Sequence, residues 1–412
     1  MKARGTGATM CNSKLNIPAA VLPLTKSQAP ASDHTPSSAL RGACIAHAVH
    51  DGLTDLVYVL LPIWQTQFAI SYAMAGLLRG LYSGVMAGLQ IKASGLSKRF
   101  GRRALLVTGT ALAGIGYLLA GQAGGIVGIG AALAFSGMGA STQHPLASSL
   151  VADTHQGPAS KKALASYNFS GDIGKMLVPA LVGVSLSWIS WRQSVTIVGV
   201  LGLATAALLA RTIPSLPPKK LADPLHGSTI VAVGTNSSGF ISLLLTGVLD
   251  SAARMGFLTF LPFILKSKGA ASATIGLALS LLFVGGAAGK LVCGYLGVRL
   301  GMKRTVWLTE AATAWCILLI LGLGLRPALA LLPLLGLALN GTSSVLYGTV
   351  PDLVQSDRRE HAFALFYTGT IGGGALSPIL FGYLSDFAGI PFAMKAVAGM
   401  LLLTLPLAWW VQ

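Results

Sequence analysis

Ser94-Gly95-Leu96-Ser97-Lys98-Arg99-Phe100-Gly101-Arg102-Arg103 and Gly294-Tyr295-Leu296-Gly297-Val298-Arg299-Leu300-Gly301-Met302-Lys303-Arg304 are one turn written twice. Leu96, Arg99 and Gly101 return 200 residues on as Leu296, Arg299 and Gly301. The register holds upstream without a gap: Leu61-Pro62 matches Leu261-Pro262, Gly76-Leu77 matches Gly276-Leu277, and Leu81 matches Leu281. Each copy joins two apolar runs long enough to be membrane helices. A helical membrane unit repeated in parallel is a construction used by many secondary transporters.

Composition agrees with a membrane chain. Hydrophobic residues make up 53% and charged ones 10%, against about 25% charged in a soluble domain. Stretches of about 18 or more apolar residues, each able to cross a hydrocarbon core of about 30 Å, recur twelve times: 43–66, 73–94, 104–122, 126–152, 163–187, 194–211, 239–265, 272–296, 304–324, 328–354, 361–385 and 391–410. The expected fold is an all-α bundle of twelve transmembrane helices in two pseudo-symmetric six-helix halves. The expected organisation is a disordered cytoplasmic tail over 1–40, an N-terminal half over 41–211, a Pro-rich linker over 212–238 and a C-terminal half over 239–412.

A net charge of +17 does not signal nucleic acid, because the charges are sorted by loop. With the N-terminus in the cytoplasm, cytoplasmic segments hold 19 of the Lys and Arg residues, among them Lys98, Arg99, Arg102, Arg103, Arg299, Lys303 and Arg304. Outer loops hold only Arg192, Lys266, Lys268 and Arg326. That asymmetry places both termini in the cytoplasm and predicts a multi-pass protein of the cytoplasmic (inner) membrane. Cys11, Cys44, Cys293 and Cys316 show neither metal spacing nor a pair in an outer loop, so no disulfide framework or metal site is expected. No nucleotide-binding motif, H-E-x-x-H or nucleophile arrangement is present, which argues against an ATP-driven pump or an intramembrane enzyme. No cofactor is expected.

Ionisable residues inside apolar helices cost about 2.5–3.5 kcal/mol each on insertion scales and so call for a reason. Span 1 carries His47, His50, Asp51, Thr54, Asp55 and Tyr58, three or four residues apart and therefore on one helical face. Asp51 is the first candidate to carry a proton, Asp55 the second. Arg79 in span 2 needs an anionic partner: Asp51, Asp55 or a substrate. Asp172 and Lys175 in span 5 are spaced to pair with each other, or to be parted by a substrate. Asp250 and Arg254 in span 7 are four apart and can pair. Lys290 lies deep in span 8. Arg79, Lys175, Arg254 and Lys290, with Tyr58 and Asp250, are the expected substrate contacts. Glu310, early in span 9, is expected to serve a structural role near Lys303 and Arg304. Asp386, at an outer helix end, is also expected to be structural.

The repeated turn resembles the signature G-x-L-A/G-D-R-x-G-R/K-R/K of the major facilitator superfamily, and the resemblance covers 41–412. It implies a secondary transporter that works by alternating access, usually as a monomer. The signature's acid, which helps lock the outward-facing state in that superfamily, is Lys98 in one copy and Val298 in the other. Leu96, Arg99, Gly101, Arg102, Leu296, Arg299, Gly301 and Lys303 are the expected conformational motif. A narrower resemblance rests on His47-Ala48-Val49-His50-Asp51, on His144-Pro145 with Ser148-Ser149, and on Gly171-Asp172-Ile173-Gly174 with Pro179. These are similar to H-x-x-N-D, H-P-x-x-S and G-N-x-G…P of the fosmidomycin-resistance branch. That branch implies proton-driven export; His50, Asp51, Asp55, His144 and Asp172 are the groups expected to couple protons. The branch's two Asn positions are His50 and Asp172 here, and Lys175 is an added cation. The expectation is a proton-coupled exporter of a small anionic or zwitterionic molecule. The alternatives are a proton-symport importer of an organic anion and, far behind, a non-transporting receptor or scaffold.

Overall fold

The computed structural model describes residues 34–155, 157–214, 237–354 and 359–411. Residues 1–33 of the expected tail and 215–236 of the expected linker lie outside the described residues. Before that gap stand α1 (His34–Phe68), α2 (Tyr72–Phe100), α3 (Arg102–Gln122), α4 (Ile126–Ala140), α5 (Gln143–Thr154), α6 (Gly157–Ser185) and α7 (Trp191–Thr212). After it stand α8 (Ser237–Ser267), α9 (Ser272–Leu300), α10 (Met302–Gly322), α11 (Leu325–Leu353), α12 (Arg359–Ala388), α13 (Ile390–Leu402) and α14 (Thr404–Trp409). α1 begins at His34, inside the stretch expected to be tail.

Fourteen helices among the described residues make twelve crossings, because two expected spans are broken. The span expected over 126–152 is interrupted at Ser141-Thr142, between α4 and α5. Pro145 has no amide with which to bond the Ser141 carbonyl, so the ladder cannot run through. The last span breaks at Leu403 for the same reason, since Pro406 leaves the Leu402 carbonyl without a donor. Among the described residues, nine helical stretches are long and apolar enough to span by length and composition alone. The other three crossings are α2 and α6, which carry intramembrane charges, and the broken α4–α5.

The signature turn is explained by its last glycine. Gly101 ends α2 and starts α3 at φ 81°, and Gly301 does the same between α9 and α10 at φ 79°. Only glycine adopts that backbone without strain. In the first copy, Arg102 bonds Asp153 of α5 at 2.7 Å, so the loop that lacks its acid borrows one from a neighbouring helix.

The two halves meet along α2 with α12 and along α6 with α9. They are clamped at the end where α1 finishes. There Asp386 accepts from the N–H groups of Tyr72 and Ala73 at 2.7 and 2.9 Å. This is an acid at a helix N-terminus, where it is favoured. Lys266 donates to the Pro62 carbonyl at 3.0 Å and to Thr66 at 2.6 Å. Ser280 of α9 donates to the Met176 carbonyl of α6. On α2 the backbone at Gly76 touches that of Pro378, while Gly84 and Gly88, on the same face further along, meet nothing within 4 Å. The space between the halves is therefore shut at this end and open toward the end that bears the repeated turn.

Candidate functional site

The deepest ionic cluster grows from α1. His47, His50 and Asp51 lie one turn or one residue apart, and α6 lies close enough to touch them. That closeness depends on Gly171 and Gly174. A Cβ on Gly171 would stand 2.6 Å from Asp51 Oδ2 and from His47 Cε1, and one on Gly174 would stand 1.8 Å from the Ala48 carbonyl oxygen. Small residues permit this approach between membrane helices. The break between α4 and α5 delivers His144 to the same place.

Asp51 is 5% exposed and is surrounded by one lysine and three imidazoles. Lys175 Nζ is 3.3 Å from Oδ2, His47 Nε2 is 3.3 Å from the same atom, and His50 and His144 each hold Nε2 3.8 Å from Oδ1. His47 Nδ1 donates to the Tyr167 carbonyl at 2.8 Å, so the nitrogen turned to Asp51 is fixed. The His47 ring also stacks on Tyr167, with centroids 4.1 Å apart. His50 and His144 share one hydrogen bond between their Nε2 atoms at 3.3 Å. His47, Asp51 and His144 together hold three potential metal-ligating atoms within 4.8 Å of one another. The Lys175 ammonium already supplies a cation to that carboxylate, 3.3 Å from Oδ2.

One turn on, Asp55 faces Arg79 at 3.6 Å. Arg79 is 1% exposed, stacks over the Tyr58 ring with 4.7 Å from its guanidinium carbon to the centroid, and donates to Ser83. Of the partners offered for Arg79, Asp55 is the one that holds it. Tyr58 points its hydroxyl at Met255 of α8 at 3.6 Å, and so spans the two halves.

The expected pairing of Asp172 with Lys175 does not form. Lys175 turns toward α1 and Asp51 instead. Asp172 receives Lys290 of α9, whose Nζ donates to both carboxylate oxygens at 2.6 and 2.7 Å. The reason is helical geometry: three residues apart on α6, the two side chains diverge enough for each to find a partner on a different neighbour. Asp250 and Arg254 of α8 do face each other, at 3.9 Å. Glu310 is not near Lys303 and Arg304. It is 1% exposed and turns its carboxyl toward Asp250.

The residues of the repeated turn gather at the open end and take no part in these clusters. Arg99 stacks on Phe100, Arg299 on Tyr295 and Lys303 on Trp409, while Leu96 is exposed. Sequence reasoning missed Tyr82, whose hydroxyl meets that of Thr54 at 3.2 Å, and the role of Tyr167 in orienting His47. A buried Tyr in an apolar helix gives no signal by spacing alone.

Comparison with known proteins follows the same lines. The family described as Major Facilitator Superfamily matches residues 43–238 and 243–412. The Fosmidomycin resistance protein of Escherichia coli (strain K12) is 22% identical over 376 residues, covering 88% of this chain and 91% of that protein. Among solved structures, a bacterial homologue of the human lysosomal transporter Spinster, in an inward-facing and occupied conformation, superposes with TM-score 0.77 at 17% identity, covering 92% of this chain and 97% of that one. A mutant form of the nucleoside transporter NupG superposes with TM-score 0.76 at 14% identity, covering 91% of this chain and all of that one.

Proposed function

The chain belongs to the Major Facilitator Superfamily and is a multi-pass membrane transporter rather than an enzyme; from that premise we propose that it exports a small anionic or zwitterionic molecule, phosphonate-like in charge, in exchange for protons. The observation that carries this reading is the ion pair between Lys290 of α9 and Asp172 of α6, which ties the two halves together. An anion that occupies Lys290 opens the tie, and so does a proton that neutralises Asp172. Either key frees the halves to rock, so the carrier crosses with its cargo in one direction and with protons in the other.

The Asp51 cluster works in the same way inside the first half. Lys175 is partly exposed, and a charged group is not tolerated against lipid, so its free side opens on the space between the halves. Arg79, Arg254, Tyr58 and Asp250 complete the walls of that space. Asp51 takes the proton, with His47, His50 and His144 as its relay and Asp55 and Asp172 as further acceptors. The repeated turns, Leu96 through Arg102 and Leu296 through Lys303, govern the open end. With that end in the cytoplasm, the protein sits in the inner membrane with both termini cytoplasmic and acts as a monomer. It is shaped to receive cargo from within. Export is supported by the similarity to the fosmidomycin resistance protein and by the inside-negative potential, which favours anion exit by about 2.3 kcal/mol per charge per 100 mV.

A second reading has its own observation. At a Lys–Asp pair an anion and a proton reinforce each other, since each leaves the other's partner free; Lys175–Asp51 and Lys290–Asp172 are two such pairs. That favours an importer of an organic anion by proton symport. A growth-inhibition panel separates the two. In a pump-deficient bacterium, wild-type chain confers resistance to phosphonate antibiotics, and Asp51→Asn and empty vector do not. Hypersensitivity conferred by the wild type means import.

A further inference from the structure

The C-terminal half holds a second ionic centre that the first does not need. Asp250 is 3% exposed and Glu310 1%. Their carboxyls face each other between α8 and α10, yet neither oxygen of Glu310 has a hydrogen-bond partner. The Thr342 hydroxyl, which lies beside Glu310, donates instead to Thr309 at 2.8 Å. Arg254 approaches Asp250 only to 3.9 Å, and its Nε has no partner. Among the described residues, the charged and titratable groups facing this pair are Arg254 of α8 itself, Tyr347 of α11 and, on the far side of Arg254, Asp55 of α1 and Lys175 of α6.

The charge count decides what the pair holds. Two carboxylates and one guanidinium leave a negative charge uncompensated, and a buried uncompensated charge costs several kcal/mol. Two carboxyls sharing one site do not both ionise at ordinary cost. A single proton between them removes the charge and supplies the missing hydrogen bond at once. Arg254 is the remaining variable, because its side chain is 23% exposed. Drawn closer to Asp250 it weakens the hold on the proton, and drawn off it strengthens that hold.

We propose that Asp250 and Glu310 form a second proton-binding site, in the C-terminal half, which shares one exchangeable proton under the control of Arg254. Its place in the transport cycle rests on the proton-coupled reading above, but its existence does not. The sequence carries the same asymmetry: Asp250 falls 200 residues after His50, and Glu310 falls 200 after Thr110, so the repeat puts two acids where the first half has a histidine and a threonine.

Infrared difference spectroscopy of the full chain in proteoliposomes tests this without any substrate. The wild type shows a protonated-carboxyl stretching band that shifts in heavy water and disappears reversibly as pH rises. Glu310→Gln loses that band, because Asp250 left alone ionises against Arg254, whereas Asp250→Asn leaves Glu310 buried without a partner, so the band stays but no longer disappears over the same pH range. Glu310→Asp keeps it at a shifted frequency and serves if the amide variants do not fold. The proposal is overturned if Glu310→Gln loses a carboxylate band instead, if Asp250→Asn leaves the pH dependence of the protonated band unchanged, or if the band persists at every pH at which the wild type stays folded. If the wild type also fails to move fosmidomycin, the transport reading fails while the band still decides the pair.

Discussion

Lys290 of α9 places its ammonium 2.6 and 2.7 Å from the two carboxylate oxygens of Asp172 on α6, a two-point contact between halves that are otherwise joined mainly at one end. Charge-assisted contacts of this length are worth about 1.5–3 kcal/mol net, enough to bias a conformational equilibrium about 10- to 100-fold.

Breaking that contact from either side should therefore change transport in different ways. Lys290→Met removes a cation from the substrate path and leaves Asp172 unpaired, so the apparent KM for an anionic substrate rises by about tenfold or more. Asp172→Asn frees Lys290 without removing it, so the substrate still binds while the proton dependence of flux weakens. The exchanged pair, Asp172→Lys with Lys290→Asp, recovers part of the flux. Initial rates over a range of substrate concentrations and pH check all three. If both single variants transport like the wild type, the pair is not part of the cycle.

The contact between α1 and α6 predicts a stability difference between two glycines. Gly171→Ala puts a methyl 2.6 Å from Asp51 Oδ2 and from His47, which forces the helices apart or displaces the acid. Overpacking of this kind costs about 1–3 kcal/mol. Gly95→Ala, on α2 with nothing within 4 Å, should leave the melting temperature unchanged or raise it slightly through helix propensity. Thermal unfolding in detergent compares the two. Equal melting temperatures would mean that the close approach at Gly171 is absent in the folded protein.

One end shut and the other open is a claim about access. In a chain whose own cysteines are replaced by serine, cysteine at Gly84 or Gly88 should react with a membrane-impermeant maleimide in inside-out vesicles. Cysteine at Ala375, opposite Gly80 in the closed stretch, should not. The reverse pattern, or labelling only in right-side-out vesicles, would contradict the assigned orientation or the resting conformation.

The sequence reveals the number of crossings, the repeat and the clustered face of α1, because all three rest on local rules. Hydrophobic runs have a fixed length, the repeat has a fixed interval, and residues three or four apart share a face. It also singles out the cations. It does not reveal their partners. Lys175 and Asp172 sit at pairing distance along one helix, yet each bonds to a different neighbour, a choice made by how α1 and α9 lie on α6. Glu310 looks structural because Lys303 and Arg304 are near it in sequence, whereas the fold carries it two turns away to face Asp250. The breaks at Ser141 and Leu403 were legible in Pro145 and Pro406, but the hydrophobic run outweighs a single proline when only composition is read.

The most direct test of the central claim is accumulation of labelled fosmidomycin by inside-out vesicles whose lumen is made acidic. Such vesicles present the cytoplasmic face to the medium, and an exporter that exchanges its cargo for protons fills them. Vesicles bearing the wild-type chain should accumulate the compound, those bearing Asp51→Asn should not, and collapse of the pH gradient should release it. No accumulation in this orientation, with uptake instead into right-side-out vesicles placed in acidic medium, would contradict proton-driven export and establish symport.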